Sequence, residues 1–268
     1  MLERCFQPGL FRGKTVFVTG GAGTINLGIA DGFARLGASV AICGRNRATL
    51  DKGAAQLRAH GNPVAAPTAD VTDYASLERA LAETAAAIGP TDILVCGAAA
   101  NFPAPADQMT ADGFAKVIAT DLNGSFNASR AAFSQLKQRR GCIIFVSATN
   151  ATMPFALQCH VGAAKAGIDS LMRGLALEWG PYGIRCNSVL PGPIERTEGL
   201  SRLLTEADIE TLRGFVPVGR FGTVEDIAGV CCFLASPLAA LLTGITLVAD
   251  GGQSFSGSAM LSELMMNP

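Results

Sequence analysis

Thr15-Val16-Phe17-Val18-Thr19-Gly20-Gly21-Ala22-Gly23-Thr24-Ile25-Asn26-Leu27-Gly28-Ile29-Ala30 decides the fold. Its first five residues are β-branched or aromatic, as a strand buried on both faces requires. Glycines follow at once, and helix periodicity begins at Ile25. A strand turning through glycines into a helix aims the helix's positive end and its unpaired backbone N–H groups at the turn, where an anion fits. Gly20, Gly21, Gly23, Thr24 and Ile25 are therefore candidate pyrophosphate-binding residues.

Outward from this unit, short apolar runs alternate with helix-length segments. Strands are expected over Thr15–Thr19, Ser39–Cys43, Val64–Ala66, Ile93–Cys96, Cys142–Ser147, Arg185–Val189 and Thr246–Val248. Helices are expected over Ile25–Leu36, Arg47–His60, Tyr74–Ile88, Thr110–Thr120, Ser125–Gln138, Leu157–Glu178 and Val224–Leu234. Gly37, Gly61, Gly89 and either Gly180 or Gly183 stand where helices should stop. Repeated β-α units imply an α/β, doubly wound, Rossmann-type parallel sheet of about seven strands with helices on both faces. One domain spanning residues 1–268 is expected, with a substrate lid over about residues 193–220. Ligands in such sheets bind beyond the carboxyl ends of the strands, near the point where strand order reverses.

Composition sets the outer limits. Nearly half of the 268 residues are apolar, and the formal net charge of −1 offers no footprint for nucleic acid or an anionic membrane. No apolar run approaches the ~18 residues of a spanning helix. Met1–Lys14 lacks a signal peptide's continuous apolar centre, and the ending Leu-Met-Met-Asn-Pro is no Ser-Lys-Leu peroxisomal address, so a cytoplasmic location is expected. The eight cysteines are scattered without C-x-x-C spacing, and read as reduced core thiols rather than disulfides or metal ligands.

The ends of the other strands specify the ligand further. After the second strand, Gly44-Arg45-Asn46-Arg47 carries two guanidinium groups where cofactors lacking a 2′-phosphate are held by a carboxylate. A guanidinium grips phosphate bidentately, so NADP(H) is expected, with Arg45 as discriminator and Asn46 beside it. Asp70-Val71 should meet the adenine, and the small Cys96-Gly97-Ala98 turn should let the cofactor pass. Pro191-Gly192-Pro193-Ile194 is a rigid turn suited to the nicotinamide carboxamide.

Together with Ala163-Ala164-Lys165-Ala166, Arg185-Cys186-Asn187-Ser188-Val189 and Asp250-Gly251-Gly252, these elements resemble the short-chain dehydrogenase/reductase family from Gly13 to about Ser254. That family's acid is a tyrosine four residues before the lysine, and here the position holds Val161. Its serine falls at Ala148, beside Ser147, and its central asparagine at Asp121. The chain's two tyrosines, Tyr74 and Tyr182, lie elsewhere, and enoyl-carrier-protein reductases, which place theirs seven residues before the lysine, would have it at Gln158. One branch matches better. Gln158-Cys159-His160-Val161-Gly162-Ala163-Ala164-Lys165, Thr197-Glu198-Gly199-Leu200 and Asn101-Phe102 look like the peroxisomal-type 2,4-dienoyl-CoA reductases, although Thr24 and Asn26 replace two glycines and Glu195-Arg196 replace small residues.

That resemblance implies an NADPH-dependent reductase of an enoyl- or dienoyl-CoA thioester. It also implies a homo-oligomer, a tetramer or dimer. Reducing a ketone needs a proton on oxygen, whereas reducing a conjugated thioester puts hydride at the far end of the system, gathers charge on the thioester oxygen and protonates carbon. Following the resemblance, Lys165 would hold the nicotinamide ribose. Asp121 and Asp250 would position or recharge a proton-donating water, Asn101 and Phe102 would meet the acyl chain, and Arg202 a CoA phosphate. Two other readings stay open: a carbonyl reductase with another acid, such as His160 or Asp121, and a catalytically silent NADP(H)-binding protein.

Overall fold

The computed structural model describes residues 2–197 and 206–258. Seven parallel strands form one sheet in the order β3-β2-β1-β4-β5-β6-β7. They are β1 Thr15–Thr19, β2 Ser39–Cys43, β3 Val64–Ala65, β4 Ile93–Cys96, β5 Cys142–Val146, β6 Arg185–Pro191 and β7 Thr246–Ala249. Strand order reverses between β1 and β4, so the glycine turn after β1 and the small-residue turn after β4 open at one crevice.

The strands alternate faces with period two, and both faces are apolar because helices cover both. Val16, Val18, Ile42, Val95 and Ile144 pack with Ile29, Phe33, Leu50 and Ile227 on one side. Phe17, Leu94 and Phe145 pack with Leu77, Leu136, Ile168 and Met172 on the other. The first layer belongs to α1 Thr24–Arg35, α2 Arg47–Arg58 and, much later in the chain, α8 Val224–Ala235. The second belongs to α3 Tyr74–Ile88, α5 Gly124–Arg139 and α6 Cys159–Trp179, with α4 Ala111–Val117 leading into α5. A further helix, α7 Glu206–Gly214, lies in the expected lid, where the sequence reading assigned none. Phe126 on α5 and Leu177 on α6 are exposed apolar residues on this second layer. No helix among the described residues is long and apolar enough to cross a membrane.

Gly37, Gly61, Gly89 and Gly183 take positive φ after their helices, which settles the choice between Gly180 and Gly183. The two helices expected over Thr110–Thr120 and Ser125–Gln138 are instead one helical run, joined by a π-helical segment at Ile118–Asn123. Gly124 is no stop signal there: a Cβ on it would come within 2.7 Å of Val71, so glycine lets α5 close on the strand-end loop. All eight cysteines are free, six of them buried and Cys5 and Cys159 exposed.

Candidate active site

At the crevice, Gly20 has φ +61°, and a Cβ on it would sit 2.7 Å from Ala98 Cα. Both constraints require glycine. Gly23 caps α1 in an extended conformation with no side-chain cap, so the amides of Thr24, Ile25 and Asn26 have no partner within the helix. An anion fits there without rearrangement. The two loops are pinned from beneath. The Asn26 side-chain amide donates to Gly20 O (3.0 Å) and Gly97 O (2.8 Å), and Thr19 Oγ1 accepts from the Gly97 and Ala98 amides at 3.1 and 3.2 Å. Asn26, which in sequence looked like a missing glycine, is the tie across the strand-order reversal.

After β2 the three polar residues part company. Arg47 is engaged by Asp51 at 2.7 Å, one turn along α2. Asn46 Oδ1 accepts from Thr49 N at 3.1 Å, so the expected cofactor contact is first of all the N-cap of α2. Arg45 is exposed and makes no hydrogen bond or ion pair among the described residues. Asp70 accepts from the Thr72 amide (2.9 Å) and hydroxyl (2.8 Å). The Thr72 amide, reinforced by the Thr72 hydroxyl and the Arg45 charge, holds its carboxyl below the usual range. The Val71 side chain faces the core beneath α3 and α5 rather than the crevice.

Cys96 is also turned away. Its thiol lies 3.8 Å from Ser125 O and Ser129 Oγ, and burial pushes it up to about 12. Only its backbone and that of Ala98 border the crevice.

The centre of the site is a buried ion pair. Asp121, on the π-helical segment, is fully buried, and its Oδ1 accepts from Ala100 N at 2.7 Å. Its Oδ2 lies 3.2 Å from Lys165 Nζ, and that ammonium donates to Val146 O at 3.1 Å. The Oδ2 geometry satisfies charge but not hydrogen-bond alignment, which leaves a lone pair available. Three elements thus converge: the β4 loop, the π-helical segment and α6. Val161 packs with Val117, Ala164 and Phe102, so an apolar cluster fills the position four residues before Lys165. Tyr74 neighbours Glu78 and Arg130, and Tyr182 lies against Phe133 and Lys137, so neither joins the pair. Asn101 is exposed, and the half-buried Phe102 ring lies 4.6 Å from the His160 ring.

Asp250 is buried, with Oδ1 accepting from Gly252 N (2.8 Å) and Oδ2 from Ser254 N (2.7 Å). Its carboxylate therefore holds its own turn, and Asp250 meets the turn after β6 through packing on Gly192. Pro191 closes β6 rather than opening the turn, and Ile194 is buried where its backbone pairs with Gly222. Arg202 lies outside the described residues.

Comparison with known proteins shows the family. A family model described as enoyl-(acyl carrier protein) reductase matches residues 20–254. The peroxisomal 2,4-dienoyl-CoA reductase SPS19 [(3E)-enoyl-CoA-producing] of Saccharomyces cerevisiae is 40% identical over 266 residues, 98% of this chain and 91% of that protein. The peroxisomal 2,4-dienoyl-CoA reductase of Arabidopsis thaliana is 37% identical over 261 residues, 94% of this chain and 88% of that one. A crystal structure of gluconate 5-dehydrogenase from Burkholderia cenocepacia, in complex with NADP and tartrate, superposes with a TM-score of 0.86 at 29% identity, covering 91% of this chain and 96% of that one. With its seven-stranded parallel sheet, its uncapped glycine turn and its lysine at the crevice, the chain belongs to the short-chain dehydrogenase/reductase family and is an oxidoreductase that uses a nicotinamide cofactor.

Proposed function

We propose that this oxidoreductase reduces a conjugated dienoyl-CoA thioester with NADPH, and that Asp121 positions a water that protonates carbon, where a tyrosine in other family members protonates oxygen. The observation that carries the reading is the enclosed Asp121–Lys165 pair beside an apolar Val161. The dienoyl-CoA reductases among its relatives support the substrate class.

The amides of Thr24, Ile25 and Asn26 would hold the cofactor's pyrophosphate, Arg45 the 2′-phosphate, and Lys165 the nicotinamide ribose. The Asp70 region would take the adenine, and the Gly192–Ile194 loop the carboxamide. The bound cofactor supplies a hydride. Asp121 fixes the Lys165 ammonium and the Ala100 amide together, so a shift in one is felt by the other. Its free Oδ2 lone pair can hold a water, and that water delivers a proton to the α-carbon once hydride has added at the δ-carbon and charge has reached the thioester oxygen; the hydroxide it leaves takes a proton from solvent. One hydride and one proton are consumed, and one double bond is lost. Asn101 and Phe102 wall the acyl chain. Asp250 supports the carboxamide loop from below.

Following NADPH oxidation by absorbance with 2,4-hexadienoyl-CoA, crotonyl-CoA and a 3-ketoacyl thioester side by side tests the assignment. Turnover of the dienoyl thioester is the expected result. Turnover of the ketone alone overturns it, and intact NADPH binding without any turnover marks a silent binding protein. For the cofactor, Arg45→Ala should weaken NADPH binding about 10- to 100-fold, the loss of a charge-assisted phosphate contact worth ~1.5–3 kcal/mol, and leave NADH within about twofold. An unchanged NADPH/NADH ratio removes Arg45 from discrimination.

A further inference from the structure

The turn after β5 and the first turn of α6 hold buried polar atoms that no described residue satisfies. His160 is fully buried, yet neither ring nitrogen has a hydrogen-bond partner, and Gln158 Nε2 and Asn150 Oδ1 are buried and unpaired as well. Buried polar groups without partners are uncommon and costly, so several at one corner call for a ligand. These residues share that corner. The Asn150 carbonyl would lie 3.0 Å from a Cβ on Gly162, which places it against the start of α6. The His160 ring leans on Phe102, and Ala104 N bonds Leu157 O at 3.1 Å, tying the acyl-chain loop to the same place. Two further features concentrate there. Leu157 holds φ +65°, a conformation that a branched side chain rarely adopts outside functional sites, and α6 begins without a side-chain cap.

We propose that Gln158 Nε2 and a ring N–H of His160 donate to the thioester oxygen of the bound acyl group. The inference rests on the dienoyl-CoA reading. It fills a gap in that reading: charge gathers on the thioester oxygen during reduction, and Lys165 is committed to Asp121, to Val146 O and to the ribose. Donors fixed by burial, before any ligand arrives, suit an oxygen that becomes negative only in the transition state. The His160 ring meets Phe102 at a tilt of 52°, and neither of its ring nitrogens is engaged by a described residue.

The experiment compares two ligands on the NADP+-bound protein, where no turnover occurs: 2,4-hexadienoyl-CoA and S-hexyl-CoA, which lacks the carbonyl oxygen. Gln158→Leu and His160→Phe should each lose about tenfold in affinity for the thioester and nothing for the thioether, and His160→Gln should recover part of the loss. The retained thioether affinity reports that the variants are folded. A second measurement uses the native chain. It has two histidines, and His60 sits at the surface paired with Asp31 at 2.8 Å, so a ring-nitrogen NMR spectrum isolates His160. Its signals should move with hexadienoyl-CoA and stay put with S-hexyl-CoA. Equal losses for both ligands, no loss for either, or an unmoved His160 signal overturn the proposal while the dienoyl reading stands. A native chain with neither thioester affinity nor dienoyl turnover overturns both.

Discussion

Asp121→Asn lowers the maximal rate of dienoyl-CoA reduction by about 10²- to 10³-fold, the span a positioned proton-transfer group commonly contributes, and leaves NADPH affinity within about threefold. The asymmetry follows from what asparagine keeps. Its side-chain oxygen can still accept from Ala100 N, so the loop after β4 holds its place. What disappears is the negative charge 3.2 Å from Lys165 and the second acceptor, the oxygen with the unaligned lone pair. The ammonium retains Val146 O and can still reach a ribose. Asp121→Ala is the harsher change: it leaves a buried ammonium without its counter-charge and the Ala100 amide without its acceptor, so part of any loss in that variant is a loss of fold. Steady-state rates with saturating hexadienoyl-CoA, alongside fluorescence titration of NADPH, separate the two effects. Equal turnover in wild type and Asp121→Asn removes Asp121 from the chemistry.

Asp92→Ala destabilises the protein by about 2–4 kcal/mol and lowers Tm by about 5–15 °C. Asp92 is buried at the opposite end of the sheet from the site and accepts from Lys14 Nζ (3.0 Å), Thr15 N (3.0 Å) and Arg139 Nε (2.9 Å). Its own backbone joins β1 to β5, donating to Thr15 O at 2.9 Å and accepting from Cys142 N at 3.0 Å. Removing the carboxylate orphans the Thr15 amide. Lys14 and Arg139 are part-exposed and can turn toward water, which keeps the loss below the ~3–5 kcal/mol of a fully enclosed pair. Asp92→Asn, which keeps an acceptor for Thr15 N, should fall between. Thermal unfolding by circular dichroism reads both, and a Tm for Asp92→Ala within about 2 °C of wild type contradicts this account.

The sheet was legible because its strands are short apolar runs between glycines, and Lys165 because a local motif surrounds it. What escaped was set by geometry that a pattern of residue types does not carry. Asn46 and Asp250 read in sequence as ligand residues, yet each spends side-chain oxygen on a backbone amide within four residues of itself. The spacing to Thr49, Gly252 and Ser254 was the available signal. Cys96 could have been set aside from alternation alone: it shares a face with Leu94, opposite Val95, and that face belongs to the core. Asn26 was invisible as a tie because its two acceptors, at positions 20 and 97, are brought together only by the sheet. The unpaired nitrogens of Gln158 and His160 were hidden for a similar reason, since a polar residue's lack of partners is a property of the fold.

The π-helical segment that carries Asp121 also bears on descent. A widened helical turn holds one residue more than the regular ladder, so what sets this aspartate's direction is a matter of a single codon. Deleting one residue between 118 and 123 would rewind that turn to a regular helix and rotate α4 against α5 by roughly 100°, while each helix kept its own bonds. A lineage could in this way lose or regain the Asp121–Lys165 pairing in one step, with the strands of the sheet unchanged and the cost confined to the packing of Val117 on Val161 and Ala164.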